Sequence, residues 1–185
     1  MNDNASIREH ILGEETVFNG LLIKVNHLDV ELPNGKKAKR EAVCHNGGAG
    51  IVAVDADENI YMVRQHRVVV DEMTLEIPAG KLEYAGADFR DAAIRELEEE
   101  TGLRAENVEL LTNALPTPGY CREQLGIYMA TGLSQHEDHL DPDEFLHVEK
   151  IPLKEAVDRV MTGEFRDAKT IIGILMVWYR LHGYK

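Results

Sequence analysis

The stretch GKLEYAGADFRDAAIRELEEETGL, Gly80 to Leu103, decides how this chain reads. Between Asp88 and Thr101 it holds neither glycine nor proline, and Ala92, Ala93, Leu97 and the glutamates favour helix. Gly102 follows the last periodic residue and reads as the helix stop. Ile94 and Leu97, three apart, are expected to face the core. Glu96, Glu99 and Glu100 stand at i, i+3 and i+4 and so crowd one helix face. Like charges at that spacing repel, and something must offset the repulsion. The plain reading is a solvated acidic face. The alternative is a hard divalent cation taking oxygen ligands from that face.

Composition narrows the choice. The chain has 185 residues, room for one sizeable domain or a domain with a small appendage. A net charge of -13 argues against a nucleic-acid surface, which needs clustered Lys and Arg. An anionic substrate would need cations to screen it from an acidic site. The two cysteines, Cys44 and Cys121, lack a CxxC spacing and suit a reducing, cytoplasmic setting. The N-terminal residues MNDNASIREH show no apolar leader. The longest apolar run, near Ile171–Tyr179, is too short to span a bilayer and reads as a buried or amphipathic helix.

Outward from the quoted stretch, the chain alternates strands with a few helices. Residues 1–15 show no decisive pattern. Phe18 to Val30 reads as strand, Leu32-Pro33-Asn34-Gly35 as a turn and Lys36–Val43 as the returning strand. That hairpin, residues 1–45, is expected to be its own module. The glycine-rich run His45-Asn46-Gly47-Gly48-Ala49-Gly50 lacks a P-loop ending and reads as the hinge into a domain spanning 46–185. Ile51–Val54 and Ile60–Val63 read as strands joined by the acidic turn Asp55–Asn59, the second running on through Arg64 to Val70. Thr74–Ile77, Val108–Leu115, Leu125–Ala130 and Phe145–Val148 are further strands; Lys154–Met161 and Ala168–His182 are helical. The expected class is α/β, a mixed sheet packed between helices with an N-terminal antiparallel hairpin.

Arg95 to Leu103 matches every fixed position in the second half of the Nudix box, Arg-Glu-aliphatic-x-Glu-Glu-x-Gly-aliphatic. The first half departs from it. One residue is inserted after Gly80, and the box glutamate falls on Ala87. The resemblance to the Nudix family implies a Nudix fold and hydrolysis of a nucleoside diphosphate linked to another moiety. It makes Glu96, Glu99 and Glu100, with the backbone carbonyl of Ala79, the ligands of Mg²⁺, Mn²⁺ being a possible substitute. Glu99 and Glu100 are thereby catalytic. Arg95 is expected to tie the helix to the loop through a carboxylate, and Glu98, at the variable position, to be surface.

Residues outside the box point to a substrate class. Pro118, sixteen residues after Gly102, resembles the ADP-ribose pyrophosphatase branch. So do Leu32-Pro33-Asn34-Gly35 followed by Arg40-Glu41, Val63-Arg64-Gln65-His66-Arg67, and Glu76-Ile77-Pro78-Ala79-Gly80-Lys81. The implied reaction cleaves ADP-ribose to AMP and ribose 5-phosphate, with another nucleotide sugar or dinucleotide (ADP-glucose, a flavin dinucleotide) or a non-catalytic ligand sensor as rivals. Arg67 is the expected phosphate clamp, since guanidinium matches phosphate oxygens in pairs; Arg64 is a second candidate. Glu123 matches an acid near the substrate, although Cys121-Arg122 replaces the family's usual Ser-Asp. Glu144, with Asp143 and Glu137 as alternatives, is the expected general base. The resemblance also implies a homodimer whose N-terminal hairpin reaches across, so that Arg40 touches the partner's substrate.

Overall fold

The computed structural model describes residues 4–136 and 145–183. The chain forms two compact units, each with its own sheet.

The first unit holds the described residues up to Asn46 together with Thr117–Glu123. After a 3₁₀ turn at Asn4–Ile7, β1 (His10–Asn19), β2 (Lys24–Glu31) and β3 (Lys37–Cys44) form an antiparallel sheet in that order. The Asn-Gly turn stands as expected: Gly35 N donates to Leu32 O at 2.9 Å and Gly35 takes φ 78°. The strand expected from Phe18 to Val30 is two strands. Gly20 N donates to Ile23 O and reverses the chain between them, so the hairpin gains a third strand from residues without a clear pattern. That strand could not be read because its side chains lie almost wholly exposed, leaving no alternation to detect. Leu28, Val30 and Ala42 make a small core.

The second unit runs from Gly47 to Pro116 and resumes at Gln124. Its strands are β4 (Gly48–Val54), β5 (Asn59–Arg67), β6 (Glu72–Glu76), β7 (Ala79–Lys81), β8 (Leu103–Ala114), β9 (Leu125–Gln135) and β10 (Leu146–Pro152). Among the described residues they run in the order β10-β5-β4-β9-β8, with β6 on β5 and β7 on β4. Only β4 and β9 are parallel; the other pairs are antiparallel. Among the described residues three helices accompany them: α1 (Phe89–Thr101), α2 (Leu153–Met161) and α3 (Ala168–His182).

The second half of the glycine-rich run, Gly48-Ala49-Gly50, is not hinge but the start of the central strand. Every residue of Gly48–Val54 is buried. The glycines serve close approach here, since a Cβ on Gly48 would stand 3.0 Å from the Gly80 carbonyl oxygen of β7. With both faces covered, β4 reads as a continuous apolar run rather than an alternating one. Its residues nonetheless sort by parity. Ala49, Ile51 and Ala53 join Ala93 and Leu97 of α1 on one face. Val52 and Val54 join Leu153 of α2 and Ile174 and Val177 of α3 on the other. The sheet is thus sandwiched between α1 and the α2–α3 pair. Among the described residues no helix is long and apolar enough to cross a membrane.

Two local corrections follow from burial. Val68, Val69 and Val70 do not extend β5; they sit exposed in a turn closed by Val70 N donating to Arg67 O. On α1 it is Ala93 and Leu97, at i and i+4, that enter the core, while Ile94 is half-buried.

Thr170 ties α3 to the strand end before β7. Its hydroxyl, fully buried, accepts from Ile77 N at 3.0 Å and donates to Asp167 Oδ2 at 2.6 Å. Asp55 pins the β4–β5 turn by accepting from Asp57 N and Asn59 N, both at 2.9 Å, and pairing with Lys150 at 2.6 Å. Burial pushes the Asp55 carboxyl up, but Lys150 and the Asn59 and Asp57 donors outweigh it and hold it at about 2.

Thr170→Val should cost about 1–3 kcal/mol in urea unfolding, because the Ile77 N–H is left buried and unpaired; an unchanged midpoint would contradict this. Asp55 is ionised more readily in the folded chain than its ordinary 3.8, so its contribution is full above that pH and is lost as pH falls toward about 2. Asp55→Ala should therefore be destabilised by about 1–3 kcal/mol at neutral pH, with the gap to the parent closing through that acid window. A gap that stays constant across the window would refute the assignment.

Candidate active site

The helix α1 begins where sequence puts it. Asp88 caps it, Oδ1 accepting from Arg90 N at 2.7 Å and Asp91 N at 3.2 Å. Gly102 ends it in the left-handed region at φ 66°, its N–H donating to Glu98 O. Between these caps the acids do not form a solvated face. Glu96 is 7% exposed and Glu100 3%, on the same side as Ala93 and Leu97. Burying two carboxylates is costly unless they are partnered.

Their partners lie on the strand that leads into the box. Glu100 Oε2 accepts from Ala79 N at 3.0 Å. The Glu96 carboxylate occupies the space beside Gly80 that a side chain would fill; a Cβ there would come within 2.1 Å of Glu96 Oε1. Arg95 Nη2 donates to Glu96 Oε1 at 2.6 Å and Nη1 to Glu83 Oε1 at 2.5 Å, and Nε lies 3.5 Å from Glu99 Oε2. This is the helix-to-loop tie expected of Arg95. Glu99 is the most accessible of the three acids, its side chain 37% exposed. Glu98 pairs with Arg104 at 3.3 Å, away from the Ala79–Gly80 contacts. Ala87, where the box pattern has an acid, packs half-buried against the α1 core with Phe89.

Among the described residues no three His, Cys, Asp or Glu side chains already converge at metal-binding distance. The donor chemistry nevertheless fits a hard divalent cation: oxygen ligands only, two of the acids drawn into the protein, and a glycine that makes room for one of them. Glu96, Glu99 and Glu100, with the carbonyl of Ala79, whose N–H already meets Glu100, could hold it.

Arg64 and Arg67 are three apart on β5 and leave it on opposite faces. Arg64 engages Glu149 of β10 through Nε and Nη2. Arg67 engages Glu76 with both arms, Nε to Oε1 at 2.8 Å and Nη2 to Oε2 at 2.7 Å. The hydrogen bonds to Glu76 raise Arg67 above its usual range against the pull of burial, and the charges of Glu76, Asp167 and Glu100 add to this. The structure thus brings Arg67 within electrostatic reach of the box acids and does not bring Arg64 to it. Glu76 itself is 2% exposed, and no site role is assigned to it from sequence. The signal was present: an acid flanked by the apolar Leu75 and Ile77 within the strand expected over Thr74–Ile77.

Three further expected residues have partners or turns within their own unit. Arg40, on β3, donates to Glu9 Oε1 at 2.6 Å. Pro118 sits in the turn where Cys121 N donates to Thr117 O. Glu123 pairs with His45 Nδ1 at 3.3 Å. All three belong to the first unit. Glu144, Asp143 and Glu137 fall outside the described residues. A cavity of about 240 Å³ opens between the loop and α1, lined by Glu83, Tyr84, Asp88, Asp91 and Arg95. It includes none of Glu96, Glu99 or Glu100 and is small for a nucleotide diphosphate.

Comparison with known proteins converges on one family. The NUDIX domain model matches residues 45–172. The chain is 40% identical over 168 residues to the methanol dehydrogenase activator of Bacillus methanolicus, covering 90% of each chain. It is 40% identical over 171 residues to the ADP-ribose pyrophosphatase of Bacillus subtilis (strain 168), covering 91% of this chain and 92% of that one. A crystal structure of an ADP compounds hydrolase superposes with a TM-score of 0.81 at 25% identity, over 95% of this chain and 96% of that one. A box helix with its acids drawn in against Ala79 and Gly80, a sheet held between helices, and these likenesses agree: the chain belongs to the Nudix family.

Proposed function

We propose that this chain hydrolyses ADP-ribose to AMP and ribose 5-phosphate, using Mg²⁺ or, in its place, Mn²⁺. The observation that carries the reading is the burial of Glu96 and Glu100 against Ala79 and Gly80, which a merely solvated acidic face would not have. The relative named ADP-ribose pyrophosphatase supplies the substrate. A bound divalent cation supplies neutralisation of the diphosphate oxygens and acidification of water. The protein's own part is positional. Glu96, Glu99 and Glu100 hold the cation; the Ala79 N–H orients Glu100, and Arg95 orients Glu96. Arg67 presents its guanidinium to a phosphate, and Glu144 is the candidate to take the proton from the attacking water. Arg64, held by Glu149, is the weaker phosphate ligand of the two. Pro118 and Glu123 are the further residues proposed to contact the substrate.

The assembly proposed is a homodimer through the first unit. Its outer strand β1 is a sheet edge with Ile11, Leu12, Val17 and Phe18 exposed, a surface suited to a second copy. Arg40 would then reach the partner's substrate. Free Cys44 and Cys121 accord with a cytoplasmic setting. A second reading comes from the relative named a methanol dehydrogenase activator, in which the target would be a protein rather than a free nucleotide.

A panel of ADP-ribose, ADP-glucose, flavin dinucleotide and GDP-mannose, with product chromatography, should show ADP-ribose cleaved best and AMP released. Glu99→Gln and Glu100→Gln should each lower kcat/KM by about 100-fold or more, on the order of 3 kcal/mol of transition-state stabilisation. Unaltered rates in either variant would remove that residue from the ligand set. Deleting residues 1–45 should leave a monomeric or insoluble chain with little activity by light scattering and assay; a fully active truncated monomer would refute the dimer.

A further inference from the structure

A deeply buried ion cluster of the second unit centres on a residue the box chemistry does not use. Glu76 receives four hydrogen bonds: two from Arg67, one from Thr74 Oγ1 at 2.7 Å, and one from Lys169 Nζ. A carboxylate has about four acceptor sites, so it is saturated. Its side chain is 3% exposed and that of Lys169 only 11%, whereas that of Arg67 is 41% exposed. Arg67 spends Nε and Nη2 on Glu76, so Glu76 does not engage its Nη1. Lys169 is held in place from its other side by Asp167 Oδ2 at 3.0 Å, and Asp167 is fixed as the N-cap of α3.

We propose that Lys169 is a positioning residue for phosphate binding: by matching the second of the two carboxylates Glu76 and Asp167, it keeps the surroundings of the outward-available Arg67 guanidinium from turning net negative. This rests on the reading of Arg67 as a phosphate ligand. Without Lys169, the Glu76 and Asp167 carboxylates would face Arg67 alone, and the excess negative charge would oppose an incoming phosphate. With Lys169 present, the two anions Glu76 and Asp167 are matched by two cations, and the cluster around the more exposed Arg67 is not left net negative. Burial makes this matter. Exposed pairs such as Arg122–Glu14 are screened by solvent, while charges in a dry site interact more strongly. Lys169 and Arg67 together hold Glu76 ionised down to about 2 despite the upward push of burial.

The test is a charge cycle on the full chain. Lys169→Met should raise KM for ADP-ribose about tenfold with kcat within about twofold, the mark of lost uniform binding. Adding Glu76→Gln removes the uncompensated anion and should return KM to within about threefold of the parent. A purely structural Lys169 would lower the melting temperature without moving KM, and the second substitution would make matters worse; either result overturns the proposal. If Lys169→Met does not fold, Lys169→Gln removes the same charge. Should the parent chain fail to cleave ADP-ribose, the functional reading falls. Calorimetric titration of the same variants with ADP then decides the present inference: the same loss and recovery of affinity supports it, and an unchanged Kd overturns it.

Discussion

Two carboxylates buried on a helix impose the central constraint of this structure. Glu96 and Glu100 can sit inside only because Ala79 offers its amide and Gly80 offers no side chain. An alanine at Gly80 would put a carbon where Glu96 keeps its oxygens. The strand β7 is therefore kept short and close to α1, and β4 must pass close to β7, which is why Gly48 lacks a Cβ as well. The helix caps at Asp88 and Gly102 hold α1 so that the acids meet that strand. The sandwich of α1, sheet and α2–α3 is the scaffold that keeps this contact dry.

A second polar contact runs along the same chain segment. Glu76, three residues before Ala79, gathers Arg67 and Lys169, and Thr170 receives Ile77 N. The segment from Glu76 to Gly80 is thus fixed from α3 on one side and from α1 on the other. A displacement at either helix would move the acids and Arg67 together. Such shared support is how a site keeps its geometry on rigid elements.

Much of this was legible in the residues. The limits of α1, the Asn-Gly turn, the tie made by Arg95 and the span of α3 follow from caps, turn chemistry and spacing. What was not legible has physical reasons. Gly48-Ala49-Gly50 reads as a hinge because glycine serves both flexibility and close packing, and sequence alone does not separate them. The strand β1 shows no alternation because neither of its faces is buried. Arg64 and Arg67 read as a pair until strand parity sends them to different faces. Cys121-Arg122 departs from the family pattern. In the structure Arg122 engages Glu14 of β1 at 2.8 Å, a long-range partner that no local pattern announces.

The account stands on the inward acids being a cation site. The most direct measurement is paramagnetic broadening by Mn²⁺, followed amide by amide in the NMR spectrum of the labelled chain. With 33 acidic residues and a net charge of -13, nonspecific association would spread its effect over the whole surface. The account predicts that trace Mn²⁺ first erases the amides of Ala79, Gly80 and Glu96 through Glu100, and that excess Mg²⁺ restores them. Broadening scattered over the exposed acids, with those amides left sharp, would contradict it.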